Sequence, residues 1–79
     1  MTVRVLFFGA TSDIAGKRLD EIDLPSKTMA KTIFDQILAE HPRLASHKLH
    51  FSVNQEFATG IEILNDGDEL AIFTAVSGG

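Results

Sequence analysis

The sequence predicts an α+β fold in which one main helix packs on one face of a mixed sheet of four or five strands. Three observations carry that expectation. Short segments of alternating apolar residues lie on both sides of a single stretch whose apolar residues repeat at helical spacing. One helix covers only one face of a sheet, which leaves the other face uncovered. A chain of 79 residues supports one hydrophobic core and not two, so residues 1–79 form a single domain.

Thr2 to Phe8 reads as the first strand, with Val3, Val5 and Phe7 on one face and Arg4, Leu6 and Phe8 on the other. Both faces are largely apolar, which suits a strand with neighbours on either side. A loop follows from Gly9 to Gly16, and Arg18 to Leu24 reads as a second strand returning as a hairpin. Pro25 and Ser26 punctuate the next junction. From Thr28 the period changes: Ala30, Ile33, Phe34, Ile37 and Leu38 form one apolar stripe at helical spacing. Thr28 is read as the N-cap, with Ser26 as the alternative. There is no capping box, because Lys31 stands where Glu or Gln would be needed. Pro42 cannot continue the helix and restricts His41, so the helix ends near Glu40.

Leu49 to Val53 reads as a strand, Asn54 and Gln55 as a turn, and Glu56 to Ala58 as a short strand or the beginning of one. Ile61 to Leu64 is an apolar patch without an assignment. Asn65-Asp66-Gly67-Asp68 is a turn in which Gly67 can take positive φ at little cost. Glu69 to Ala75 reads as the last strand, running into a flexible C-terminal tail counted over residues 74–79. Strand, strand, helix and two or three further strands is the order of a β-grasp, the ubiquitin-like fold. The expected core is Val3, Val5, Phe7, Ile22, Leu24, Ile33, Ile37, Phe51, Val53, Leu70 and Ile72. By the same parity Leu6, Phe8 and Phe73 face away from the helix, and Phe57 joins them. Three phenylalanines exposed together would form an association surface. A register shifted by one residue would exchange the two faces.

Composition narrows the function classes. Hydrophobic residues make up 44% and charged residues 23% of the chain, the balance of a folded domain rather than a disordered one. The net charge is −4 and no basic stripe is visible, which speaks against nucleic acid as a partner and for a basic protein groove. No apolar run approaches the ~20 residues that span a bilayer, and no basic lead precedes an apolar stretch at the N-terminus. A cytoplasmic, non-membrane protein is expected. Cysteine is absent, so disulfides and thiolate chemistry are excluded within this chain. So small a domain has little room for a deep substrate pocket of ~300 Å³. It is expected to be a binding or carrier module rather than an enzyme.

The main chemical signal is Gly78-Gly79. Two glycines without side chains make a thin tail that can thread a channel any Cβ would block. Gly79 ends in a carboxylate, a poor electrophile until ATP converts it to an acyl-adenylate. A sulfur donor can then displace AMP and leave a thiocarboxylate, giving a cysteine-free chain a reactive sulfur. A frayed terminus is the plain alternative. Other candidates are weaker. Asp66, Asp68 and Glu69 surround Gly67 but lack the spacing of a calcium loop. His47 and His50, with His41 nearby, lack the further ligands zinc needs. Asp20, Glu21 and Asp23 need no role beyond solvation, and Ser12 and Ser77 have no adjacent base. Gly9 and Gly16 do not match a phosphate loop, so no cofactor is expected on this chain and ATP belongs to an activating partner.

Several of these segments together resemble the MoaD family, the small sulfur-carrier subunits of molybdopterin synthase. Val5-Leu6-Phe7-Phe8 resembles the family's first strand, and Val53-Asn54-Gln55 its turn. Asn65-Asp66-Gly67-Asp68-Glu69-Leu70-Ala71 resembles its late acidic segment, and Val76-Ser77-Gly78-Gly79 its end. The resemblance spans nearly the whole chain. Two departures stand out: Thr74-Ala75 replaces the family's Pro-Pro, and Ser12-Asp13 replaces its frequent Arg-Glu. Without the prolines the tail should be more flexible.

The resemblance implies a mechanism in two complexes. A MoeB-like E1 activating enzyme would use ATP to adenylate Gly79, which would then receive sulfur. The tail, Val76, Ser77, Gly78 and Gly79, would next insert into a MoaE-like large subunit, where sulfur passes to a pterin precursor of molybdopterin. The family's hydrophobic docking surface maps onto Phe8, Phe57 and Phe73. A carrier for thiazole or tRNA thiolation, a ubiquitin-like modifier forming isopeptide bonds and a plain interaction module with an inert tail are the competing readings.

Overall fold

The structure, a computed structural model, describes residues 1–74. Strand β1 (Thr2–Phe7) is followed by a short helix α1 (Ala10–Ala15), strand β2 (Leu19–Asp23) and the main helix α2 (Ala30–Glu40). A 3-10 helix (Pro42–Ser46) leads to β3 (Leu49–Val53), β4 (Glu56–Phe57) and β5 (Glu69–Thr74). The sheet order is β2-β1-β5-β3-β4, with β1 and β5 parallel and the other pairs antiparallel. The first and last strands are therefore neighbours inside a mixed five-stranded sheet, as the β-grasp reading expects. Thr74, counted with the tail in the sequence, is still part of β5, opposite Leu49.

Alternation in the strands sorts the side chains. Val3, Val5, Phe7, Leu70 and Ile72 turn toward α2 and are buried with Leu24, Ala30, Ile33, Phe34, Ile37, Leu44 and Leu64. Ile22, Phe51 and Val53, expected in the core, are only partly buried against it. Ile22 lies on an edge strand with one neighbour, and Val53 ends its strand at a turn. Phe51 stacks on Phe34 with ring centroids 4.0 Å apart, joining the sheet to α2.

Two local readings are corrected. The loop Gly9 to Gly16 contains α1, closed by Gly16 in the left-handed conformation, with its N–H bonded to the Ser12 carbonyl. Thr28 is not the N-cap of α2; Met29 holds that position, and the Thr28 hydroxyl donates to the Pro25 carbonyl at 2.6 Å. The first α2 amides are capped instead by a distant backbone segment: Ala30 N–H donates to the Glu62 carbonyl at 2.8 Å and Lys31 N–H to the Gly60 carbonyl at 2.9 Å. The Leu64 N–H returns a bond to the Thr28 carbonyl at 2.9 Å. This is the structure of the unassigned patch: Leu64 enters the core while Ile61 and Ile63 stay exposed. Gly60 is needed there, since its φ is +107° and a Cβ would lie 3.3 Å from Lys31 Cβ.

Candidate functional site

The face of the sheet turned away from α2 carries the residues predicted to associate. Register places one row across all five strands: Leu19 opposite Leu6, Leu6 beside Ala71, Ala71 opposite Ser52, and Ser52 opposite Phe57. The middle of the row is small, Ala71 and Ser52, and larger side chains stand around it. The result is a hollow of about 260 Å³ lined chiefly by Leu6, Phe8, Ser52, Phe57, Ala71 and Phe73. Phe8 also borders a second, open depression of about 560 Å³ that reaches Leu19, Gly9 and Arg18. Phe8 thus forms a ridge between two concave surfaces.

Phe57 is 72% exposed and Phe8 50%. Phe73 is half-buried because Phe57 and His50 flank it. The Phe57 and Phe73 ring centroids are 6.0 Å apart. Asn54 and Gln55, both at positive φ, close the β3–β4 hairpin as a two-residue turn and thereby set Phe57 opposite Ser52. The structure therefore brings Phe8, Phe57 and Phe73 onto one surface. Val76, Ser77, Gly78 and Gly79 lie outside the described residues.

The sequence reading missed one member of this surface. His50 pairs with Phe73 across β3 and β5, and its ring lies 5.7 Å from both Phe73, in a stacked arrangement, and Phe57, edge-on. The available signal was parity: His50 and Ser52 alternate with Leu49, Phe51 and Val53. His47 is exposed outside β3, so the His-x-x-His spacing forms no ligand pair. Among the described residues no group of three or more His, Cys, Asp or Glu could hold a metal ion.

Several polar groups near the site have structural partners. Arg4 lies 3.8 Å from Glu69 beyond the apolar row. Asp66 accepts the Thr2 N–H at 2.8 Å, and Asp68 accepts from Asn54 Nδ2 at 3.0 Å and Asn65 N–H at 2.7 Å. The acidic turn thus holds the β1, β3 and β5 ends together. The buried Thr11 hydroxyl lies 2.7 Å from the Phe8 carbonyl and 2.9 Å from the Ile72 carbonyl, tying α1 to the end of the sheet where β5 finishes. Behind the site, Glu62 is held at about 2, below its ordinary carboxylate value of 4.5. The Thr59 N–H contributes most, with further help from the Glu62 and Gly60 N–H groups and the Thr59 hydroxyl, against a partial desolvation that raises it.

An apolar hollow rimmed by aromatic rings suits the docking of another protein rather than bond chemistry. Among the described residues no helix is long and apolar enough to cross a membrane.

Comparison with known proteins agrees with the fold. The ThiS family model matches residues 5–79. The chain is 35% identical to the molybdopterin synthase sulfur carrier subunit of Chlamydomonas reinhardtii, over 100% of both chains. It is 33% identical to that of Homo sapiens, covering 98% of this chain and 93% of the relative. Among solved structures, SAMP1 from Haloferax volcanii superposes with a TM-score of 0.85 at 26% identity over 100% of both chains. A chain of the Helicobacter pylori complex of molybdopterin-converting factor subunits 1 and 2 shares the fold, with a TM-score of 0.70 at 24% identity over 100% of both.

Proposed function

The chain belongs to the ThiS family, and from that membership we propose that it is the sulfur carrier subunit of a molybdopterin synthase, working in the cytoplasm. The observation carrying this reading is full-length similarity, at 33–35% identity, to proteins bearing that role. The chain itself is a carrier, not a catalyst. A MoeB-like activating enzyme binds ATP, and the Gly79 carboxylate attacks its α-phosphate with loss of pyrophosphate. A sulfur nucleophile then displaces AMP and leaves a thiocarboxylate on Gly79. The hollow bounded by Phe8, Phe57 and Phe73 docks on a MoaE-like large subunit, and Val76, Ser77, Gly78 and Gly79 enter that subunit's active site. There the thiocarboxylate sulfur bonds to a carbon of the pterin precursor, and water cleaves the resulting thioester to restore the Gly79 carboxylate.

A second reading is that of a protein modifier, favoured by the full-length likeness to SAMP1, a small archaeal modifier protein. Intact mass of the protein from its native host separates the two. A species heavier by one oxygen replaced with sulfur, lost when Gly79 is deleted, is the expected result. Lysine-linked adducts without that species favour the modifier. Unmodified protein alone, even with activating enzyme and ATP, overturns both.

A further inference from the structure

We infer that His50 is a docking residue whose protonation weakens the partner complex, so that affinity for the large subunit falls as pH falls. This rests on the proposed docking role of the phenylalanine surface and adds its regulation. The imidazole sits in the aromatic rim itself: its ring lies 5.7 Å from the rings of Phe57 and Phe73, and it is half-buried. A partner that covers Phe57 and Phe73 must also remove water from His50. Imidazole is the side chain that ordinarily changes charge between pH 5 and 8. Burying its neutral form against apolar surface costs little, whereas burying its cation without a counter-charge is expensive.

Among the described residues the surroundings supply no counter-charge. The elements beside His50 are β5 and β4, which present Phe73 and Phe57 to it. Among the described residues no carboxylate oxygen lies within 4.0 Å of its nitrogens. Glu56, on β4, pairs with Val53 and has the opposite parity. On the open face of β5 the nearest carboxylate is Glu69, four residues from Phe73 and beside Arg4. Glu21 and Asp23 belong to β2, at the far edge of the sheet. Lys48, exposed and two residues before His50, carries a further positive charge. The cation is therefore poorly served in the complex, and the partner selects the neutral ring.

Exclusion of a single proton changes an equilibrium constant by at most about tenfold per pH unit. The test measures binding of the large subunit encoded by the same genome at pH 7.5 and pH 5.5, for the wild type, His50→Gln and His50→Phe. The expected result is a wild-type affinity roughly tenfold weaker at pH 5.5 beyond any change seen in the variants, which remove the titrating ring while other groups titrate equally in all three. Circular dichroism at both pH values establishes that each protein is folded, and two variants guard against failure of one. An identical pH dependence in wild type and variants overturns the inference and leaves the docking reading intact. So does tighter wild-type binding at pH 5.5, which would place a partner carboxylate opposite His50. Absence of wild-type binding at pH 7.5 overturns both readings together.

Discussion

At the scale of single residues, Gly60 and Glu62 illustrate how an irregular segment can decide an element elsewhere. Gly60 stands at φ +107°, and its carbonyl caps Lys31. Gly60→Ala introduces backbone strain together with a contact at 3.3 Å to Lys31 Cβ, and should destabilise the fold by about 1–3 kcal/mol; urea unfolding measures it. Glu62 makes the same segment pH-sensitive. Its carboxylate pKa is lowered on folding from 4.5 to about 2. Its contribution is therefore fully present above about pH 4.5 and is lost as pH falls through about 2. Glu62→Gln should remove that part of the acid dependence, so unfolding midpoints of wild type and variant should converge between those pH values. Neither role was legible from sequence, since a glycine and a glutamate in an aperiodic stretch have no pattern. His50 is a different case. Its parity on β3 was readable, but the His-x-x-His spacing drew attention to metal chemistry instead of to the sheet face.

At the scale of elements, the legible parts are those with a period. Strands β1, β3 and β5 and helix α2 follow from alternation and helical spacing, and Pro42 marks the α2 end at Glu40. Helix α1 was hidden because its six residues, Ala-Thr-Ser-Asp-Ile-Ala, have no apolar stripe. A tertiary contact supports it, the Thr11 hydroxyl lying 2.9 Å from the Ile72 carbonyl, which no local pattern records. Leu44 and Leu64 were missed as core for the same reason: each is a lone buried residue, Leu44 in the short 3-10 helix and Leu64 in an irregular segment. The N-terminus of α2 misled because Thr28 is a good capping residue, yet the Glu62 and Gly60 carbonyls already occupy the amides. The hairpin β3–β4 offers a prediction of its own. Phe57 is 72% exposed on this short strand, so Phe57→Ala should alter stability by no more than about 0.5 kcal/mol. If the hollow docks a partner, the same change should weaken binding by tenfold or more, as removal of a central aromatic contact does. Calorimetric titration beside thermal unfolding tests both halves, and an unaltered affinity would remove Phe57 from the docking surface.

At the scale of the whole molecule, the sheet separates support from display. One face carries α2 and the core; the other presents the small-residue row between phenylalanines, with the Arg4–Glu69 pair beyond it. The two-faced arrangement was foreseeable because one helix cannot cover both sides, while the hollow was not, since its depth depends on Ala71 and Ser52 meeting across strands in register. Sheet order also has a mechanical consequence. β5 is hydrogen-bonded on both sides, to β1 in parallel and to β3 in antiparallel, and ends where residues 75–79 begin. Tension drawing the C-terminal end outward against a held N-terminus acts along the strand axes. The β1–β5 bonds are then strained together in shear instead of being unzipped one at a time. Single-molecule extension between the two ends should show one high-force rupture. A domain with this geometry can have its last residues pulled into a narrow channel without being unravelled by the pull.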